Sequence, residues 1–370
     1  MKSPTAVRRN FRFWKSSAVL ATAMALGITG CASPSASTAG ADADADTADG
    51  IGVSLIIKTA SNPFFVAMQE GAEAKAAELG IDLTVAAGKD LVDEETQIRA
   101  IENAISLGQD GILITPNGPS VINAIEQART AGLFVIALDD PPNPPDAVDI
   151  TFATDNRLAG NLIGEWTAAS LEGEDAVIAL IDLSAETNAS VDFERDQGFL
   201  EGMGIDTKNP DLNGDEDATG SYSGGSYEIV CNQDSDGAED GGRTAMEMCL
   251  SQSDNINVVY TINEPAAAGA YEALKSLGME SGVLFVSVDG GCAGVGLIGD
   301  GVISATSQQY PLKMAELGVE AIYELVTTGQ APKTTDGLDF FNTGVALITD
   351  SPVAGVTSLD SAEGTELCWG

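Results

Sequence analysis

Short, uninterrupted apolar runs alternate with helical patterns from residue 51 to residue 328, and this alternation decides the class of fold. The runs at 51–58, 82–87, 111–116 and 134–139 show no polar alternation, as expected of parallel strands covered on both faces. Helical spacing fills the intervals near 64–79, 93–107 and 119–131. A Pro-rich stretch, Pro141-Pro142-Asn143-Pro144-Pro145, continues neither element. A strand at 150–155 then leads into a helix at 157–171. From there the pattern restarts, with strands near 176–182, 226–231, 257–262, 283–288 and 303–307. Helices near 192–203, 241–252, 264–277 and 311–328 separate them, and 205–226 is a polar insertion. Two successive series of βα units predict an α/β chain of two doubly wound lobes, and a length of 370 residues suits two. The cleft between such lobes is the natural ligand site.

In open α/β sheets a ligand lies outside the carboxyl ends of the strands. The first such turn is Ser61-Asn62-Pro63-Phe64-Phe65. Ser61 or Asn62 suits the helix cap, and Pro63 the first helical position. Neighbours on a helix point ~100° apart, so one of Phe64 and Phe65 can enter the core while the other faces the cleft; the plainer alternative buries both. Asp139 and Asp289 end apolar runs, either as acceptors at the cleft mouth or as caps and turn residues. Asn263 likewise reads as site residue or cap, and Arg195 as site residue or helix surface. Trp166 falls at apolar helical spacing and is predicted to be core.

Charge and composition narrow the chemistry. With 56 acidic against 17 basic residues the net charge is −39, which argues against nucleic acid and anionic ligands as partners. The absence of histidine removes the commonest general base and metal ligand and the usual nucleophilic triads. A glycosidase would still be open to Asp139 with Asp140 or Asp289, provided that one carboxyl had a raised pKa. The segment Asp211–Asp217 hints at a calcium loop, but it lacks glycine at the sixth position and has Tyr222 where a bidentate Glu belongs. No metal is therefore expected. Gly290-Gly291-Cys292-Ala293-Gly294 lacks the Lys-Ser/Thr ending of a phosphate loop and reads as a tight turn, so no cofactor is expected either.

The beginning of the chain reads as a targeting segment: Arg8, Arg9, Arg12 and Lys15 precede an apolar stretch at 17–27, too short for a permanent span. Ile28-Thr29-Gly30-Cys31 resembles the lipobox of bacterial lipoproteins. That implies cleavage after residue 30, lipid on Cys31 and no other membrane contact. Residues 31–50, rich in Ala, Asp, Ser and Thr, read as a disordered tether. Four cysteines remain, an even number in an oxidising compartment. Of the three pairings that the sequence allows, we pair Cys231 with Cys249 and Cys292 with Cys368.

Asn62-Pro63-Phe64-Phe65, Leu138-Asp139, Thr154-Asp155-Asn156, Arg195 before Gln197-Gly198-Phe199, Asn263, Val288-Asp289-Gly290 and Gln309 occur in the order found in the ribose-type periplasmic sugar-binding proteins, which the chain resembles over roughly 51–370. Ile262 to Tyr271, Asp289 to Gly294, Ala305 to Pro311, Gly337 to Gly344 and Cys368-Trp369-Gly370 bring the resemblance closest to fructose-binding members. It implies two Rossmann-like lobes joined by three crossovers: 51–155 with 310–338, and 156–309 with 339–370. It further implies a monomer that is not an enzyme, lies outside the cytoplasm, closes on a monosaccharide and delivers it to an ABC permease and its ATPase. Carried over, Asn62 bonds a hydroxyl and Phe64 and Phe65 sandwich the ring. Asp139 accepts from hydroxyls, and Arg195, Asn263, Asp289 and Gln309 reach in from the far lobe and hinge. Two departures stand out. Asp140 replaces the arginine of ribose binders, and the second aromatic of the far lobe has no clear counterpart, its region being taken by the loop 234–241.

Overall fold

The computed structural model describes residues 50–184 and 189–370; the expected signal segment, Cys31 and nearly all of the expected tether lie outside them. The strands in chain order are β1 (Gly52–Ile57), β2 (Asp82–Ala87), β3 (Gly111–Ile114), β4 (Phe134–Leu138), β5 (Ile150–Ala153), β6 (Ala176–Asp182), β7 (Thr219–Ser221), β8 (Ser226–Asp234), β9 (Val258–Thr261), β10 (Leu284–Asp289), β11 (Ala305–Gln308), β12 (Phe341–Asn342) and β13 (Ala346–Ile348). They form two sheets, ordered β12-β5-β4-β3-β1-β2 and β13-β11-β10-β9-β6-β8-β7. Every pairing in the first sheet is parallel; in the second, only β13 and β7 at the edges run antiparallel.

The helices are α1 (Pro63–Leu79), α2 (Glu94–Leu107), α3 (Ile122–Ala131), α4 (Asn156–Ser170), α5 (Ser190–Met203), α6 (Glu239–Leu250), α7 (Glu264–Leu277), α8 (Cys292–Gly299), α9 (Pro311–Thr328) and α10 (Ser361–Leu367). Side chains of Asn62, Asp93, Asp155 and Asn263 accept from backbone N–H groups of the first turns that they open. The central strands β3, β4 and β9 are buried on both faces, and β3 and β4 read as unbroken apolar runs, whereas β2, β8 and β7 towards the sheet edges are partly exposed and carry polar residues.

The chain crosses between lobes after β5, after β11 and after β12, and its last residues, past the disulfide at Cys368, return Trp369 to the first lobe. The crossings lie side by side, since Thr154 Oγ1 is 3.2 Å from Gln309 Oε1 and Thr343 N donates to Ala153 O at 2.9 Å. The third boundary, expected at 338, lies beyond residue 342. Phe341 pairs with Phe152 in the first sheet, and their rings stack with centroids 4.6 Å apart. A second correction concerns the glycine-rich stretch after β10. The turn ends at Gly291, and Cys292 opens α8. The polar insertion also contains β7, and β8 runs three residues beyond its expected end at 231.

Both disulfides form as paired from the sequence. Cys231–Cys249 ties β8 to α6, and Cys292–Cys368 ties α8 to the segment after α10, with Cα atoms 5.4 Å and 4.9 Å apart.

Helix α4 packs on α5 almost backbone to backbone. A Cβ at Gly160 or Gly164 would strike the carbonyl oxygens of Arg195 or Phe199; one at Gly198 or Gly202 would strike those of Arg157 or Asn161. This approach sets α5 against the start of α4, where the interlobe residues lie.

Candidate functional site

The expected ligand residues gather where the carboxyl ends of the two sheets face each other. Asp139 follows β4 with φ 67°, and Asp289 ends β10 with φ 138°. Backbone in this region is costly for a residue with a Cβ, and such cost is commonly tolerated at functional sites. Arg195, on the second turn of α5, is buried. Its Nε donates to Asn156 Oδ1 at 2.8 Å and its Nη1 to Ile262 O at 3.0 Å, with Asp289 Oδ1 3.6 Å away. Gln309 Nε2 donates to the same Asp289 oxygen at 2.7 Å. One continuous polar network thus runs from the hinge through the second lobe.

Asp139 faces this network from the first lobe. It is 8% exposed, and its Oδ1 has no hydrogen-bond partner among the described residues. Burial pushes its carboxyl up to about 7, with a further push from Asp140; Lys58 and Arg195 pull the other way. Burial also raises Asp289, to about 6, against the pull of Arg195 and Gln309. The site therefore presents a buried acceptor in want of a donor, beside a guanidinium and an amide already held in place.

The remaining expected residues are placed as follows. Asn62 caps α1, its Oδ1 accepting from Phe64 N at 2.9 Å. Asn263 caps α7 and donates from Nδ2 to Gly237 O at 2.9 Å, so both ends of its amide are engaged. Phe64 and Phe65 both join the core of the first lobe, edge to face at 5.2 Å. Asp140 takes a bond from Lys58 Nζ at 2.9 Å and another from Ser190 Oγ at 3.1 Å, the latter across the two lobes. Trp166 is core, as expected, with its Nε1 donating to Ser351 O.

Three residues escaped the sequence reading. Lys58 follows β1, in the position relative to its strand that Asp139 holds after β4; a rare cation ending an apolar run was the available signal. Glu264 accepts from Gly290 N at 2.8 Å, Gly291 N at 3.1 Å and Thr306 Oγ1 at 2.9 Å, and so fixes the turn that carries Asp289. Its carboxylate occupies the space that a Cβ at Gly294 would need, which explains a glycine inside α8. Burial, then the charge of Asp289, pushes Glu264 up to about 8. Trp369 packs on Phe64, ring centroids 5.3 Å apart, and donates from Nε1 to Gln309 O at 2.8 Å. Held by Cys292–Cys368 to the second lobe, it seats in the core of the first.

The pH dependence of stability follows. Asp139, Asp289 and Glu264 are all raised, so each keeps its proton in the native state after the unfolded chain has lost it. Their contribution is fully present below the ordinary carboxylate range and is lost as pH rises through about 6 for Asp289, 7 for Asp139 and 8 for Glu264. Each such proton lowers stability by ~1.4 kcal/mol per pH unit inside its window. The ligand-free melting temperature should therefore fall between pH 5 and pH 8. Asp139→Asn, whose side chain tolerates positive φ, should flatten the fall around pH 7. Parallel melting curves for the two proteins would refute this origin.

A different depression, about 660 Å³ and lined by Trp166, Leu284, Ile303 and Val353 among others, opens at the amino ends of β10 and β11. It is remote from the converging polar groups, and no ligand is assigned to it.

The periplasmic binding protein domain model matches residues 51–331. The chain belongs to the periplasmic binding protein family. Relatives in that family include the D-ribose/D-allose-binding protein of Pseudomonas aeruginosa, 28% identical over 310 residues, covering 80% of this chain and 88% of the relative. The ribose import binding protein RbsB of Bacillus subtilis is 28% identical over 283 residues, covering 76% and 84%. Among solved structures, an ABC transporter periplasmic solute-binding protein from Actinobacillus succinogenes with bound D-allose superposes with a TM-score of 0.70 at 21% identity, covering 85% of this chain and 99% of that one. The two-lobe α/β architecture is thus that of the family, and these relatives are binding proteins rather than enzymes.

Proposed function

We propose that this periplasmic binding protein is the extracytoplasmic sugar-binding component of an ABC importer. It takes a monosaccharide between its lobes and delivers it to the permease and its ATPase. The carrying observation is the buried, unpartnered oxygen of Asp139 opposite the Arg195–Asp289–Gln309 network. A sugar hydroxyl is donor and acceptor at once. It donates to Asp139 while its oxygen accepts from Arg195 or Gln309, and charge-assisted bonds of this kind are about twice as strong as neutral ones. Because the partners sit on different lobes, a sugar stabilises the closed arrangement over the open one.

Fructose is the favoured ligand. The long matching segments at 262–271, 289–294 and 337–344 support it, and Asp140 in place of arginine argues against ribose or the same ring contacts. Lys58, after a different strand, is paired with Asp140 at 2.9 Å, and the pair changes which hydroxyls are read. Lipid on Cys31 holds the protein at the outer face of the membrane. Among the described residues no helix is long and apolar enough to cross one.

Calorimetric titration with D-fructose, ribose, allose, glucose, xylose and myo-inositol tests the reading. A micromolar or tighter signal for fructose alone is expected. A signal only for another sugar would keep the transport role and reject fructose; silence from a folded protein across the panel would reject the reading.

A further inference from the structure

The segment Cys368-Trp369-Gly370 matched the fructose-binding members, yet no part of it touches a sugar in the site described above. Its first residue belongs to the second lobe. Cys292–Cys368 fastens the segment after α10 to the start of α8. Gln308 Nε2 secures the same corner by donating to Gly290 O at 2.9 Å and to Gly364 O at 3.0 Å. The next residue belongs to the first lobe: Trp369 is 7% exposed and packs among that lobe's core residues.

The indole meets three bodies at once. On the first lobe its ring stands edge to face on Phe64, centroids 5.3 Å apart. Gly370 continues along that lobe, where a Cβ on it would lie 3.2 Å from Pro63 Cβ. At the hinge, Trp369 Nε1 donates to Gln309 O at 2.8 Å. On the second lobe, Trp369 O accepts from Cys292 N at 2.9 Å, and a Cβ on Gly291 would lie 3.6 Å from Cη2 of the indole. Each partner leads directly to the candidate site. Phe64 donates its N–H to Asn62, Gln309 donates to Asp289, and Gly290-Gly291 is the turn that carries Asp289. There is no slack in the connection. One peptide unit separates the anchored cysteine from the seated tryptophan, and consecutive Cα atoms lie only about 3.8 Å apart.

We propose that residues 368–370 form a fourth tie between the lobes, one that stops the cleft from opening widely, and that Trp369 is a positioning residue for sugar binding through Gln309 and Phe64. The second half rests on the sugar-binding reading; the first does not. A swing that parted α8 from α1 would have to pull the indole from its seat or break the Cys368 anchor. The indole is among the largest apolar surfaces that a side chain can bury, so unseating it is costly. Small rotations remain free, because the contacts lie beside the hinge. The tie acts as an end stop. It keeps the ligand-free lobes near the arrangement that the sugar selects, and apparent affinity scales with the population of that arrangement.

Three variants separate the parts. Trp369→Ala removes the ring and its N–H. Trp369→Phe keeps a ring against Phe64 and loses the bond to Gln309. Cys292→Ser combined with Cys368→Ser keeps the indole and cuts the anchor. Small-angle X-ray scattering of the ligand-free proteins reads the opening, and calorimetry reads affinity for the best sugar of the panel. Trp369→Ala and the double serine should enlarge the ligand-free radius of gyration, with sugar restoring the parent's value. Both should weaken binding ~10-fold or more, as the closed population falls. Trp369→Phe should weaken it by about 3-fold, the worth of one hydrogen bond. The control is Cys231→Ser with Cys249→Ser, which cuts the disulfide lying wholly within the second lobe. It should lower the melting temperature yet leave the radius of gyration and the affinity at the parent's values, as any merely structural bridge would. If Trp369→Ala fails to fold, the double serine and Trp369→Phe still decide, since neither empties the core. A ligand-free double serine with the parent's radius of gyration overturns the tie. One that opens but binds sugar as the parent does overturns the positioning role. A parent that binds no sugar rejects the sugar reading instead, and scattering alone then decides the tie.

Discussion

Asp289→Ala removes sugar binding. Asp289 holds Arg195 and Gln309 at once, and Arg195 is 5% exposed, so the alanine leaves a buried guanidinium facing the ligand without its carboxylate. Losing the charge partner of a buried guanidinium 3.6 Å away, together with the hydrogen bond from Gln309, costs about 2 kcal/mol or more, roughly 30-fold or more in affinity. The fold should persist, because Arg195 keeps Asn156 Oδ1 and Ile262 O. Calorimetry with the best sugar of the panel, alongside circular dichroism, measures both. Unchanged affinity would remove Asp289 from the site.

The second large effect is one of packing. Gly198→Val should lower stability by about 3 kcal/mol, the upper end for overpacking, and the melting temperature by roughly 5–10 °C. The new side chain meets the Arg157 carbonyl and pushes α5 off α4. Since Arg195 reaches Asn156 across that same contact, sugar affinity should fall too, although residue 198 is not among the ligand residues. A melting temperature within a degree of the parent would show that the two helices can part freely.

The architecture was legible because parallel strands buried on both faces are strongly apolar: β3 and β4 entirely so, β1 but for Ser54 and β6 but for its last residue, Asp182. Elements of two or three residues at sheet edges, β7, β12 and β13, carry too little sequence to announce themselves. Helix α8 hid in a glycine-rich stretch in which Gly290 serves the turn but Gly294 makes room for Glu264. Asp139 and Asp289 were legible as charges closing apolar runs. Glu264 was not, since a Glu in a first helical turn is what the helix dipole favours anyway, and nothing local says that it binds the next loop. Phe64 and Phe65 show the limit from the other side. The spacing allows one ring in the cleft, yet both are packed, and Phe64 meets Trp369, more than three hundred positions away in the chain.

Three chain crossings lying side by side have a mechanical meaning. One strand between two bodies lets them swing, twist and slide. Three in a row, cross-linked by Thr154 to Gln309 and by Thr343 to Ala153, leave rotation about a single line. Rotation about that line would leave residues near it, such as Gln309, almost in place and move the rim most. Lys58 and Asp140 on one rim and Ser190 on the other stand where that movement is read out, so the distance between them reports it.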